Sequence, residues 1–269
     1  PGGAVVLVAA DEDELGFLLL ERSAKSVRLT EAGRTFLLEA RAVIQRADDA
    51  VKAARAVANG AGELHLGYAP SLTARILPAT LRAFQTELPG TRVKLHDPST
   101  EEMLAGLRDG TLQLAFVARP VASALRGVQF EELLRDAVCL AVAPKHPLAR
   151  QRSVTAAEAA AERIVAYSRK DYPEAHELLE AVFAPAKGAP RIVEEHDSVS
   201  SLIAAVEAGV GAAVAVSSLA CTAGQRVRLL PILPAPAPLV VGAAWPKDRF
   251  TPTAQRFLKC AREVALKSH

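Results

Sequence analysis

Residues 63–78 read Glu63-Leu64-His65-Leu66-Gly67-Tyr68-Ala69-Pro70-Ser71-Leu72-Thr73-Ala74-Arg75-Ile76-Leu77-Pro78. Leu64, Leu66 and Tyr68 fall at every second position, the period of a strand with one covered face. Pro70 to Thr73 then open a helix with apolar positions Leu77, Leu81, Phe84 and Leu88, ended by Pro89-Gly90. Val93 and Leu95 mark a second strand. Ser99 or Thr100 caps a helix carrying Met103, Leu104 and Leu107, closed by Gly110, and residues 112–118 form a near-continuous apolar strand. This βαβαβ order predicts a parallel sheet with helices on its faces.

A second unit follows. Residues 137–143 and 164–167 read as strands, and the loop Ser168-Arg169-Lys170-Asp171-Tyr172 leads to a helix beginning at Pro173. Residues 191–195 can form a strand. Asp197-Ser198 caps a helix bearing Leu202, Ile203 and Val206, stopped by Gly209 and Gly211, and residues 212–216 form a further strand. Pro231 to Pro238 holds four prolines and reads as a connector. A strand over 239–245 and a helix over 252–266 with Phe257, Leu258 and Val264 complete the pattern. Two α/β units are therefore expected, and the cleft between such units is a natural ligand site.

Upstream, residues 31–58 read as one long helix, with Thr30 as N-cap and Asn59-Gly60 as its stop. Phe36, Ala40, Val43, Ala47, Ala50, Ala54 and Val57 alternate at spacings of four and three, the seam of a pairing helix. An amphipathic helix lying on its own domain would show a similar stripe. The length favours pairing, and with it a homo-dimer.

The chain has 269 residues, half of them hydrophobic, and a formal charge of +2. That composition suits a packed fold and excludes a histone-like polycation. Three widely spaced cysteines, Cys139, Cys221 and Cys260, offer no zinc spacing and no disulfide scaffold. The six histidines show no HExxH, and no GxSxG, Walker A or GxGxxG motif occurs, so no catalytic residue, metal ligand or cofactor site is assigned and no enzyme is expected. The apolar run at 4–10 is seven residues, far short of the roughly 20 that a membrane span needs. Asp11-Glu12-Asp13-Glu14 follows it and no basic residue precedes it, so a cytoplasmic protein without a membrane partner is expected.

The stretch from Glu14 to Gly33 carries a more specific signal. Glu14-Leu15-Gly16, Leu19 and Arg22, followed by Arg28-Leu29-Thr30 and Ala32-Gly33, resemble the end of the winged helix-turn-helix domain of LysR-type transcriptional regulators. The resemblance runs over about residues 12–269. It implies an α/β fold: a remnant of a winged helix-turn-helix (1–30), a linker and dimerisation helix (31–60), and a two-lobed, periplasmic-binding-protein-like effector-binding domain (61–269). Lobe I would comprise 61–136 and 237–269, and lobe II 137–236. It implies a ligand-responsive DNA-binding regulator whose small-molecule effector sits between the lobes.

On that basis Arg22, Lys25, Arg28 and Arg34 are expected to contact DNA phosphates, within a stretch (21–55) holding eight basic and five acidic side chains. A solvated helix turn is the plainer reading of the same residues. The effector site is expected at Ser71, Leu72, Thr73, Ser99, Thr100, Arg119, Ser168, Arg169, Tyr172 and Ser198. Helix N-termini favour anions, so the hydroxyls among them would hold a small carboxylate, with Arg119 as counter-charge. Capping alone explains any one of these hydroxyls; their convergence on one cleft is what the resemblance adds.

Two other readings compete. Residues 1–10 have no basic side chain and do not resemble a recognition helix. A chain without that helix would be an effector-binding and oligomerisation module lacking DNA readout. A periplasmic solute-binding protein shares the two-lobed fold, but it needs an export signal and has no use for a heptad helix.

Overall fold

The computed structural model describes residues 12–23, 26–58, 62–186 and 190–267, and within these the side chains of several residues between 22 and 58, Arg22 among them, are not described. Lys25, residues 1–10 and the side chains of Ala50, Ala54 and Val57 therefore lie outside the described part. The chain divides into two compact units, Pro1–Ala58 and Asn59–His269.

In the first unit residues 12–15 are helical, and Gly16, at φ 75, takes the left-handed conformation that ends the turn. The Glu12 carboxylate accepts the backbone N–H groups of Leu19 and Leu20 at 2.7 and 2.8 Å. Strands β1 (Leu20–Ser23) and β2 (Ser26–Leu29) form an antiparallel hairpin. Helix α1 (Glu31–Ala58) follows at once. Thr30 caps it, its Oγ1 accepting the Gly33 N–H at 2.8 Å. Gly33 is required by packing: an added Cβ would strike the Leu19 carbonyl oxygen. With 28 residues α1 is about 40 Å long.

In the second unit one sheet has five strands: β3 (Glu63–Tyr68), β4 (Arg92–His96), β5 (Leu114–Ala118), β6 (Val128–Asp136) and β13 (Leu239–Pro246), in the order β4-β3-β5-β13-β6. The first three are parallel, as their βαβαβ order requires, whereas β13 runs antiparallel to both β5 and β6. The sheet is therefore mixed and not purely parallel. Helices α3 (Leu77–Glu87), α4 (Thr100–Asp109) and α9 (Pro252–Lys267) cover it. On one face Leu64, Leu66 and Leu114 pack with Phe84, Phe116 and Phe257, the Phe84 and Phe257 rings meeting edge to face at 5.0 Å. Met103, Leu104 and Leu107 of α4 fill the other.

The other sheet has the order β11-β7-β12-β8, with β7 (Val138–Val142), β8 (Val154–Thr155), β11 (Ala213–Val216) and β12 (Arg228–Leu233). A parallel pair, β9 (Arg163–Tyr167) and β10 (Arg191–His196), is tied to it through the Val165 N–H and the Ala212 carbonyl at 2.9 Å. Helices α5 (Ala156–Ala160), α6 (Pro173–Phe183), α7 (Val199–Glu207) and α8 (Leu219–Ala223) complete this half. The chain crosses between the two sheets twice, at 136–138 and 233–239.

Two expectations need correction, and one strand escapes the sequence pattern. The helix expected over 70–88 is two: α2 (Pro70–Thr73) and α3, because Pro78 cannot donate to the preceding turn and restarts the helix. The proline-rich connector begins only after β12. Leu230 and Ile232 are buried on alternate positions, and Pro231 falls where pairing with β7 ends and pairing with β8 begins. Finally, β6 is a nine-residue edge strand whose charged Glu131, Glu132 and Arg135 hide its alternation. Among the described residues no helix is long and apolar enough to cross a membrane.

Candidate functional site

The two sheets face each other across a cleft of about 820 Å³, counting its open mouth. From the five-stranded half it is lined by Ser71 and Leu72 of α2, by Asp97, and by Thr100 and Met103 of α4. From the other half come Tyr167, Tyr172, Glu174 and Leu178, together with Val199, Leu202, Val214, Val216 and Leu219. The walls are thus mainly aliphatic, with two carboxyl groups, two phenols and the hydroxyls of Ser71 and Thr100 as polar features.

Each side of the cleft is bridged. On one side the Thr100 hydroxyl donates to Glu174 Oε1 at 2.6 Å, and the Glu101 N–H reaches the Asp171 carbonyl at 3.3 Å. On the other, Arg75 donates to Ser217 Oγ at 2.9 Å, and Ser217 in turn donates to the buried Asp136 at 2.6 Å. Asp136 also accepts the Ser218 N–H at 3.1 Å. It ends β6, at one of the two crossings, so this carboxylate fastens the hinge itself.

Glu174 lies in the first turn of α6 and is only 7% exposed. Its Oε2 is buried and has no hydrogen-bond partner among the described residues. Burial pushes its carboxyl up from the ordinary 4.5 to about 7, against the opposing bond from Thr100. That displacement corresponds to roughly 3 kcal/mol disfavouring the ionised form. A helix N-terminus offers only about 0.3–1 kcal/mol in the other direction, so desolvation wins. Asp97 is raised in the same direction by the same cause. The Tyr167 and Tyr172 rings meet at a tilt of 44° with centroids 4.8 Å apart; burial raises both phenols, that of Tyr172 to about 12. The Tyr172 hydroxyl donates to the Asp197 carbonyl at 2.8 Å.

Of the ten residues expected here, Ser71, Leu72, Thr100 and Tyr172 line the cleft and the other six do not. Thr73 donates to the Ala69 carbonyl at 2.8 Å. Ser99 is spent on a capping box with Glu102, and Ser198 caps α7 by accepting the Ser201 N–H. The Ser168 N–H bonds the His196 carbonyl and its own carbonyl takes two N–H groups. Arg169 pairs with Glu180 at 2.8 Å in an exposed position. Arg119, expected as counter-charge, lies over the Phe130 ring at 5.0 Å and pairs with Glu132 at 3.5 Å. Among the described residues no Lys, Arg or His lines the cleft. Sequence reasoning missed Asp97, Met103, Tyr167 and Glu174. The signal available for the last was an acid directly after Pro173 in a helix's first turn.

Among the described residues no group of three His, Cys, Asp or Glu is placed to hold a metal ion. The Cys139 thiol is buried against the Ala215 carbonyl and raised to about 12 by burial, with Asp136 adding to it, which is the opposite of a reactive thiolate. In the first unit, Arg28 and Arg34 are exposed at the base of the hairpin, Arg34 donating to the Leu29 carbonyl at 3.1 Å. Along α1, Phe36, Val43 and Ala47 of the expected seam are exposed, and Ala40 is half-buried. Leu37, Ile44 and Val51, at intervals of seven, are exposed beside them, so the apolar stripe is wider than the seam alone.

Residues 58–266 match the LysR substrate binding domain family. The HTH-type transcriptional regulator YnfL of Escherichia coli K12 is 29% identical over 259 residues, 93% of this chain and 84% of the relative. Among solved structures, full-length CbnR in complex with its target DNA aligns with a TM-score of 0.77 at 26% identity, covering 97% of this chain and 88% of that one. The effector binding domain of QuiR in complex with shikimate has the same fold (TM-score 0.68, 18% identity, 77% of this chain and 98% of that one).

Proposed function

This chain belongs to the LysR-type transcriptional regulators, and from that premise we propose that it binds DNA and adjusts that binding to a small molecule held between its two lobes. The observation that carries the effector half of this reading is the cleft: an aliphatic cavity built from both sheets, with side-chain bridges on each side. A ligand that contacts Met103 on one wall and Leu202 or Val216 on the other favours the arrangement in which both are within reach. Its leverage equals its differential affinity for that arrangement.

The DNA half rests on the hairpin and the family. The β1–β2 hairpin presents Arg28 at the surface, with Arg34 just inside α1, where they can meet phosphates and add affinity without sequence choice. The related CbnR was crystallised in full length on its target DNA. The exposed apolar stripe of α1 would join two copies, giving a homo-dimer and, through the effector domains, a homo-tetramer. Lobe rearrangement would alter how these effector domains pack, and paired α1 helices would carry the change to the DNA-binding ends.

A gel-shift titration tests the DNA half. The chain should prefer the region upstream of its own gene over random DNA of equal length, and its affinity should fall linearly with salt on logarithmic axes. Equal affinity for both DNAs would contradict the regulator reading.

A further inference from the structure

The expectation of a carboxylate effector rested on helix N-termini and on Arg119. The cleft distributes its charges otherwise. The positive end of α4 already meets Glu101 and Glu102 in its own first turn, and that of α6 meets Glu174. At α7 the Ser198 hydroxyl takes the Ser201 N–H. Arg119 and Arg169 are committed to Glu132 and Glu180. What remains for a ligand is an acceptor. Glu174 lines the cleft, one of its oxygens holds Thr100, and the other is buried without a partner among the described residues. Asp97 is the second carboxyl of the lining, and among the described residues no cationic side chain joins them there.

Resting on the reading of this cleft as the effector site, we infer that it takes a small molecule with an apolar body and a hydrogen-bond donor, an amine or a hydroxyl, placed on Glu174, and turns carboxylates away. A buried acceptor left unpaired is costly, so a donor delivered to Oε2 gains more than it would at the surface. Where Glu174 is ionised, above its folded value of about 7, a carboxylate at the same place would bring a second acceptor, with its lone pairs against those of Glu174 and no counter-charge among the described lining residues. Met103, Leu178, Leu202 and Val216 would receive the apolar body.

Three probes share one ring and differ only in the polar group: benzylamine, benzyl alcohol and benzoate. Titrated into the full chain by calorimetry at about pH 8.5, where Glu174 is ionised, the amine or the alcohol should bind at least about tenfold tighter than benzoate. An advantage of the amine over the alcohol indicates pairing with the ionised carboxylate; equal binding indicates a neutral hydrogen bond. Both agree with the inference. Glu174→Gln keeps an acceptor for Thr100 and turns the free oxygen into a donor, so the preference should shrink by about tenfold or invert. Benzoate binding as well as the other two overturns the inference. So does the absence of binding by all three, or an unchanged preference in a Glu174→Gln protein whose thermal melting shows it folded. In each of those cases the regulator reading stands or falls separately, on promoter preference in the gel shift.

Discussion

Replacing Val43 and Ile44 together by glutamate should leave the protein as a monomer of 28.4 kDa in light scattering, where the unaltered chain runs at twice that mass or more. The two side chains are 67% and 64% exposed in the single chain, on a helix long enough for a pairing surface. Burying each against a partner contributes about 1.5–3 kcal/mol, and a two-fold interface counts each residue twice. Four buried carboxylates would add a desolvation cost to that loss, so pairing should weaken more than a thousandfold at the least. The substitutions alter little inside the chain, because both positions already face solvent. Promoter affinity should fall with the oligomer, since two hairpins joined through α1 bind one DNA with the advantage of a high effective concentration. An unchanged mass would remove the pairing role of α1.

The second large effect concerns Glu174. In the folded protein its carboxyl titrates at about 7, against an ordinary 4.5 in the unfolded chain. Between those values the folded state holds a proton that the unfolded state has lost, so stability is fully present below about 4.5 and declines as pH rises through about 7. The decline from this one group is roughly 3 kcal/mol, and above the folded value it levels off. Glu101 and Glu177 add like charge nearby and work in the same direction. Glu174→Gln should abolish this slope. Urea unfolding of both proteins should show the glutamine variant gaining on the parent as pH rises across that window, with a constant difference beyond it. A difference independent of pH would mean that Glu174 is not buried as described.

Where local patterns decided the structure, the sequence was readable. Leu64, Leu66 and Tyr68 alternate and form β3; Thr30, Ser99 and Ser198 each cap the helix that follows them. The long α1 needed only its Ala-, Leu- and Arg-rich composition, with Gly33 as its one strong helix breaker. The fold was less readable where tertiary pairing overrides local chemistry. The strand β12 forms through prolines because β7 and β8 lie on either side of it. The strand β6 is charged because it is an edge, with Glu131 held by Arg262 of α9. The site was the least readable part. Thr100 and Glu174 are 74 residues apart and come from different halves, so nothing in either neighbourhood announces their bond. Arg119 follows an apolar strand and is spelled like a cleft residue, yet Phe130 and Glu132 on β6 hold it elsewhere. Of the hydroxyls at helix starts, Ser99 and Ser198 serve as caps, whereas Ser71 and Thr100 line the cleft.

The central claim is that the space between the two lobes is where a small molecule binds. Met103 is the one methionine in the sequence, and its side chain lines that space. In protein labelled with carbon-13 on the methionine methyl, benzyl alcohol titrated to calorimetric saturation should move the Met103 resonance in step with the heat. Heat released while that resonance stays fixed would place binding outside the cleft and contradict the account.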